Sequence, residues 1–391
     1  MSRWRETTTA KLIDSKVLKI GDGYRAKNSE LVSEGLPFAR AGNINNGFRF
    51  SDADCLPNHY TDIVGDKASM PGDTVFTSKG TVGRFGFVTD RTIKFIYSPQ
   101  LCFWRSLKHD EAWPRFIYYW MHGKEFLGQV DGLKGQTDMA DYVNLADQRK
   151  MDITLPPLPE QKAIAAVLSS LDDKIDLLHR QNLTLESMAA TLFRQWFVEE
   201  AHEDWDERPL SHIADFLNGL ACQKHPPESE LEKLPVLKIR ELSSGISESS
   251  DWASSKIKPE YIVESGDVIF AWSASLMVKV WNGERCVLNQ HLFKITSTEF
   301  PKWFYLLWCK HHLAEFIAIS SSHATTMGHI KRGDLDAAMV SVPPENELTV
   351  MSEQMKPLLD KQFTIAKQRR TLEKLRDTLL PKLMSGEVRV V

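Results

Sequence analysis

Residues 153–178 read ITLPPLPEQKAIAAVLSSLDDKIDLL. A short apolar run, ITL, meets Pro156, Pro157 and Pro159, and a long amphipathic stretch follows. Proline has no N–H for a strand ladder and restricts the residue before it, so this reads as a last strand closing a domain. Glu160 then stands where negative charge suits a helix N-terminus, and it is expected to open the helix. The same grammar returns at residues 340–365, VSVPPENELTVMSEQMKPLLDKQFTI. A domain exit written twice implies a chain built twice.

Working outward, ordered matches support a tandem repeat. Trp4-Arg5-Glu6 aligns with Trp205-Asp206-Glu207 at an offset of 201, and Asp14 with Asp215 at the same offset. LPFARAGNINNG (36–47) aligns with LPVLKIRELSSG (234–245) at 198, and PGDTVFTS (71–78) with SGDVIFAW (265–272) at 194. SPQLCF (98–103) aligns with LNQHLF (288–293) at 190, and PRFIYYW (114–120) with PKWFYLL (301–307) at 187. That last offset continues to Phe197 and pairs Pro156-Pro157 with Pro343-Pro344. Short strand-like segments bounded by Gly, Pro and Asp fill the first part of each half, with helices opened by a proline in the first turn. The fold class is therefore α+β, each half ending in a long helix.

The first long helix carries a heptad seam at Ile164, Leu168, Leu171, Ile175, Leu178, Asn182, Leu185, Ala189, Leu192 and Trp196. Steps of four and three held over so many turns define a coiled-coil stripe. Adding 187 gives Met351, Met355, Leu358, Gln362, Ile365, Arg369, Leu372, Arg376, Leu379 and Leu383. A helix over residues 160–199 spans about 60 Å, too long to be buried in one small domain. It needs a partner helix, and its repeat copy is the candidate, paired antiparallel under the pseudo-two-fold of a tandem repeat. Asn182 and Arg369 occupy equivalent seam positions, where a polar residue fixes register.

Composition sets bounds. The 391 residues carry a net charge of -4, 42% hydrophobic and 26% charged residues, and five scattered cysteines with no C-x-x-C pair. This is an ordinary globular balance without a zinc or disulfide framework, which suits a reducing cytoplasm. No apolar run is long enough for a membrane span, and MSRWRETTTAKLIDS has no signal-like apolar core. Residues 1–155 carry 21 Lys and Arg against 19 Asp and Glu, and residues 204–344 carry 14 against 18. Any basic surface must be local.

LPPLPEQKAIAAVLSSLDDKI (155–175), ESMAATLFRQWF (186–197) and LEKLRDTLLPKLMSGEVRV (372–390) resemble the specificity subunit of type I restriction–modification enzymes, over essentially the whole chain. The resemblance implies two tandem α/β target recognition domains, at 1–155 and 204–344, separated by two helical spacers, at 156–203 and 345–391. Each domain is expected to read one half of an asymmetric, bipartite site on double-stranded DNA. The helices are expected to act as a spacer and to dock two methyltransferase subunits, which restriction/translocase subunits join. Half-sites one helical turn apart are separated by about 34–36 Å, which a rigid coil of this length can span. The alternative is a duplicated coiled-coil adaptor without DNA recognition of its own.

Three pairs of segments are candidates for DNA contact. TSKGTVGRFG (77–86) offers Ser78, Lys79, Gly80, Thr81 and Arg84, where glycines allow close backbone approach and cations neutralise phosphate. Its counterpart AWSASLMVKVW (271–281) lacks the glycines and leaves Trp272, Ser273, Ser275 and Lys279. The second pair is Gln136 and Thr137 with His323, Thr325 and Thr326, side chains suited to base edges. The third is Arg40, Asn43 and Asn45 with Lys238 and Arg240. A solvated hairpin or polar turn is the competing reading of each.

Chemistry of its own is not expected. The sequence has no G-x-x-x-x-G-K-[ST] loop, no H-E-x-x-H, and no Asn- or Asp-Pro-Pro-aromatic stretch. Asp172-Asp173 beside Lys174 read as a solvated or partner-facing helix surface. S-adenosylmethionine, ATP and Mg are expected on partner subunits, with no cofactor in this chain.

Overall fold

The computed structural model describes residues 4–45, 47–133, 142–322 and 328–390. Gln136, Thr137, His323, Thr325 and Thr326 lie outside the described residues. The chain forms two compact units. One comprises Met1–Ile175 with Thr371–Val391, the other Asp176–Arg370. Each unit thus owns one half of each long helix.

In the first unit, strand Arg5–Thr8 pairs antiparallel with Asp152–Leu155, the ITL run before the prolines. A four-stranded antiparallel sheet runs in the order Leu18–Asp22, Leu101–Ser106, Thr74–Thr77, Phe85–Phe87. A second sheet places Leu36–Ala39 between Cys55–Leu56 and Ile96–Tyr97, the latter pair parallel. Helices Pro114–Met121 and Lys124–Leu133 follow. Their apolar faces close the main core with Trp104, Phe116, Trp120 and Phe126, all essentially solvent-free. The Trp104 indole donates to Gln148 Oε1 at 2.9 Å, so this deep ring leaves no polar atom unmet.

The second unit repeats the plan. Asp206–Pro209 pairs with Met339–Val342. One sheet runs Asp215–Asn218, Leu292–Thr296, Val268–Ala271, Met277–Val280. The other runs Trp252–Ser254, Lys233–Leu237, Cys286–Leu288, Ile262–Val263, again with one parallel pair, Val236 opposite Val287. Helices Lys302–His311 and Leu313–Ser322 follow, and Pro301 is the N-cap rather than a first-turn residue.

The repeat holds at the level of single bonds. Trp4 Nε1 donates to Glu160 Oε2 at 3.2 Å, and Trp205 Nε1 donates to Glu347 Oε2 at 3.2 Å. Thr9 N bonds Met151 O, and Leu210 N bonds Ala338 O. Met70 N bonds the Asp73 carboxylate, and Glu264 N that of Asp267. Two sequence alignments need correction. Cys102 faces Phe76 and Phe293 faces Phe270, so the true offset in that strand is 191 and not 190. The identity of Phe103 with Phe293 misled, and one residue of slip exchanges the two faces of a strand. Asp14 ends a helix while Asp215 begins a strand, so their match is accidental.

The central helix covers Leu158–Arg194 and runs into a π turn at Gln195–Glu199; the C-terminal helix covers Glu345–Met384. The central helix begins two residues before Glu160, with Pro159 accommodated in its first turn. Every seam position named above is buried or half-buried in both helices. Within the first unit, Asp172 meets Arg376 at 3.1 Å and Glu160 meets Arg389, so numbering rises on one side as it falls on the other. Within the second unit, Arg369 donates to His179 Nδ1 at 3.1 Å, while Ala189 and Phe193 share a core with Met355. Both pairings are antiparallel. Asn182 is half-buried in the same seam. Asp172 does not stand on the solvated or partner-facing surface expected of Asp172-Asp173: its other oxygen accepts from the Tyr119 hydroxyl at 2.6 Å, while Asp173 is exposed.

Candidate nucleic-acid interface

In the first unit, residues 78–84 join strands Thr74–Thr77 and Phe85–Phe87. Thr77 Oγ1 accepts from Arg84 N at 3.0 Å and donates to Thr81 O, which ties the loop neck. Gly80 and Gly83 have φ of 81° and 99°, and an added Cβ at either would meet open space. The backbone conformation, not crowding, requires glycine there. Lys79, Gly80, Thr81 and Arg84 are exposed, and among the described residues neither Lys79 nor Arg84 has a carboxylate partner. Ser78 departs from expectation. It is 1% exposed and accepts from Cys102 Sγ at 3.2 Å, so it is a core residue and not a surface contact.

The other segments come to this loop. Arg84 Nη1 donates to Ala41 O at 3.3 Å, and Ala41 N donates to Gln100 Oε1 at 3.1 Å. Arg40 pairs with Asp54 at 2.8 Å. Asn43 builds the turn itself, accepting from Arg40 N and donating to Arg49 O. Asn45 is exposed. On the other side Lys79 forms an antiparallel bridge with Tyr142, and its Nζ lies 5.8 Å from the centre of that ring. Tyr142, 46% exposed, is the last residue of the second candidate segment, 134–142, and its one described residue.

The second unit assembles the same three segments with different chemistry. Ser273 bridges to His329, the equivalents of Lys79 and Tyr142 at offsets of 194 and 187. Trp272 is half-buried, stacks on Phe293 at 5.5 Å, and donates to Asn218 Oδ1 at 3.2 Å. Ser273 is turned inward against His291 Nδ1 at 3.1 Å. Ala274 has φ of 56°, a left-handed residue where no glycine stands, and Ser275 beside it is exposed. Lys279 is not a free cation. Its Nζ donates to Leu242 O and Ser243 O at 3.3 and 3.4 Å, at the end of helix Ile239–Ser244, and burial holds its pKa below the ordinary value. Lys238 pairs with Asp251. Arg240 donates twice to Glu241 Oε1, a carboxylate only 1% exposed.

So the two surfaces share a scaffold and differ in charge. The first unit presents two cations, Lys79 and Arg84, on a glycine loop, neither with a carboxylate partner among the described residues. The second presents tryptophan, imidazole and hydroxyl groups, with Lys238, Arg240 and Lys279 already bonded. Tyr142 and His329 fall within the second pair of candidate segments, 134–142 and 321–334, without being singled out by sequence, and Gln100, Asn218 and His291 join the candidate surface only in the structure. The correct offset of 191 carries Gln100 onto His291; the offset of 190 had hidden it behind Gln290.

Among the described residues no group of three His, Cys, Asp or Glu could hold a metal ion. The five cysteines are free thiols. No helix among the described residues is long and apolar enough to cross a membrane.

The family described as type I restriction modification DNA specificity domain matches residues 15–187 and again residues 202–374, two copies displaced by the helix offset of 187. The chain is 27% identical over 309 residues to the type I restriction enzyme MjaIX specificity subunit of Methanocaldococcus jannaschii, covering 70% of this chain and 69% of that one. It is 25% identical over 312 residues to the MjaVIII specificity subunit of the same organism, covering 70% of each. In fold it is similar to the crystal structure of a type I restriction–modification system S subunit from M. genitalium. That likeness has a TM-score of 0.61 at 14% identity and covers 97% of this chain and 96% of that one.

Proposed function

The chain belongs to the type I restriction–modification DNA specificity family, and from that membership we propose how its two units divide the work. Specificity subunits recognise DNA and assemble with the rest of the complex. Each unit of this chain reads one half of an asymmetric, bipartite duplex site. The antiparallel helices space the readers and dock two methyltransferase subunits, and restriction/translocase subunits join that assembly. Methyl transfer, ATP hydrolysis and their cofactors reside on those partners, and the complex works in the cytoplasm.

The convergence of three distant polar segments on one hairpin loop in each unit carries this reading, with Lys79–Tyr142 and Ser273–His329 as equivalent bridges. A plain solvated hairpin has no reason to gather the same three segments twice. In the first unit the glycine loop lets backbone approach phosphate while Lys79 and Arg84 neutralise it. In the second unit, hydroxyl, imidazole and indole groups meet base edges and sugars. Because the two surfaces differ, the two half-sites differ.

The test reconstitutes the chain with its methyltransferase subunits and maps modified bases on random duplexes. The expected product is one bipartite motif with unlike halves. An assembled complex that binds and modifies no duplex leaves the duplicated coiled-coil adaptor as the reading.

A further inference from the structure

At the start of the central helix, Glu160 is held by two groups. Trp4 donates from its indole, and Arg389 donates from Nε at 2.7 Å and from Nη2 at 2.5 Å. The chain's own tail makes this possible. The C-terminal helix ends at Met384, and just beyond it Gly386, with φ of 74°, reverses the chain in a left-handed turn that suits glycine. A Cβ at Gly386 would lie 3.3 Å from the Trp4 ring, and Val390 packs on the first unit's core.

The second unit repeats every part of this node except the tail. Trp205 donates to Glu347, as Trp4 does to Glu160. At the offset of 187, Glu199 replaces Gly386 and His202 replaces Arg389. Glu199 cannot take the left-handed turn cheaply, and the helix runs out instead through the π turn Gln195–Glu199. Residues 200–204 are exposed, and among the described residues no Lys or Arg pairs with Glu347. Trp205, the indole that holds Glu347, lines an open cleft of about 570 Å³. Asp204, Asp206, Glu299 and Glu345 share its walls with Phe300. Arg208 is its one cation among the lining residues, and it is already paired with Glu299 at 2.8 Å and Asp206 at 3.6 Å.

Glu347 is half-buried and stands beside this cleft, behind Trp205, rather than among its lining residues. We propose that Glu347 and the adjoining cleft form a docking site for an extended, arginine-bearing segment of a partner protein, its guanidinium taking on Glu347 the place that Arg389 takes on Glu160. The first unit displays the chemistry of the occupant: a bidentate arginine flanked by β-branched residues, laid against a tryptophan. The acidic lining is complementary to such a segment, and a planar guanidinium suits a carboxylate better than lysine does. The inference goes beyond DNA reading and does not rest on it.

The probe is the labelled peptide SGEVRVV, the sequence of residues 385–391, titrated onto the full chain by fluorescence anisotropy without DNA. The expected result is saturable one-to-one binding that weakens with salt and falls at least about tenfold when the peptide arginine becomes glutamine. Glu347→Gln gives the same loss at unchanged melting temperature. The double change Glu199→Gly with His202→Arg lets the chain's own segment turn back into the cleft and excludes the peptide. No saturable binding up to millimolar peptide overturns the proposal. So does binding indifferent to the peptide arginine or to Glu347→Gln, or binding by the double variant that equals wild type.

Discussion

Lys79 and Arg84 stand on the glycine loop without a carboxylate partner among the described residues, whereas Ser78 between them and the strand is sealed in the core. These neighbours separate positioning charge from packing. Lys79→Ala and Arg84→Ala each weaken DNA binding of the assembled complex about equally on all sequences and lower the salt slope by about one. Ser78→Ala leaves binding and slope unchanged. Titrations at several salt concentrations decide it, and a wild-type slope in Arg84→Ala removes the loop from the interface. Glu160 supports a second prediction. The Arg389 guanidinium holds its carboxyl below the ordinary 4.5, against the opposing effect of burial. A depressed folded pKa contributes stability that is present above the unfolded value and lost as pH falls through the folded one. Glu160→Gln should cost about 1–3 kcal/mol at pH 7. Melting curves of both proteins from pH 7 to 3 should converge toward the acid end; a constant gap would mean the ion pair is not the source.

The helices show what a sequence can and cannot say about an element. A heptad seam is legible because periodicity is a local property, and all its positions are shielded. The degree of shielding is not local. Leu168 is fully buried beneath the first unit's domain core, while Leu171, one seam step on, is only half-buried. Leu168→Ala therefore costs about 2–5 kcal/mol, and Leu171→Ala clearly less than the same range expected for a fully buried site. Equal losses in chemical denaturation would contradict the burial pattern. Strand register was less legible still. Matching Phe103 to Phe293 satisfied the alphabet, but hydrogen bonding aligned Cys102 with Phe293. Polar residues were the hardest. Asn43, Lys279 and Arg240 read as candidate ligands for DNA, and each also bonds a neighbouring group, Asn43 its own turn, Lys279 the end of helix Ile239–Ser244 and Arg240 the buried Glu241, because an unmet backbone carbonyl or buried carboxylate claims the nearest donor.

At the scale of the whole molecule, duplication conserved the scaffold and released the surfaces. The bonds that recur in both halves, Trp4 to Glu160 and Trp205 to Glu347 among them, lie where strand, proline gate and helix meet. The residues that diverge, Tyr142 against His329 and Lys79 against Ser273, lie on the loops. This division explains why the fold was readable and the interface only in outline: scaffold positions repeat, and the candidate reading positions on the loops differ. It also yields a test. Tyr142 and His329 belong to separate compact units. Tyr142→Ala should relax discrimination in one half-site only, and His329→Ala in the other, each by about 1–3 kcal/mol at the affected base pair. Their free-energy changes should add to within about 0.5 kcal/mol in the double variant, as independent sites do. Competition binding against duplexes altered in one half at a time measures both quantities. If either single change relaxes both halves together, the units do not read independently, and one surface must be acting through the other.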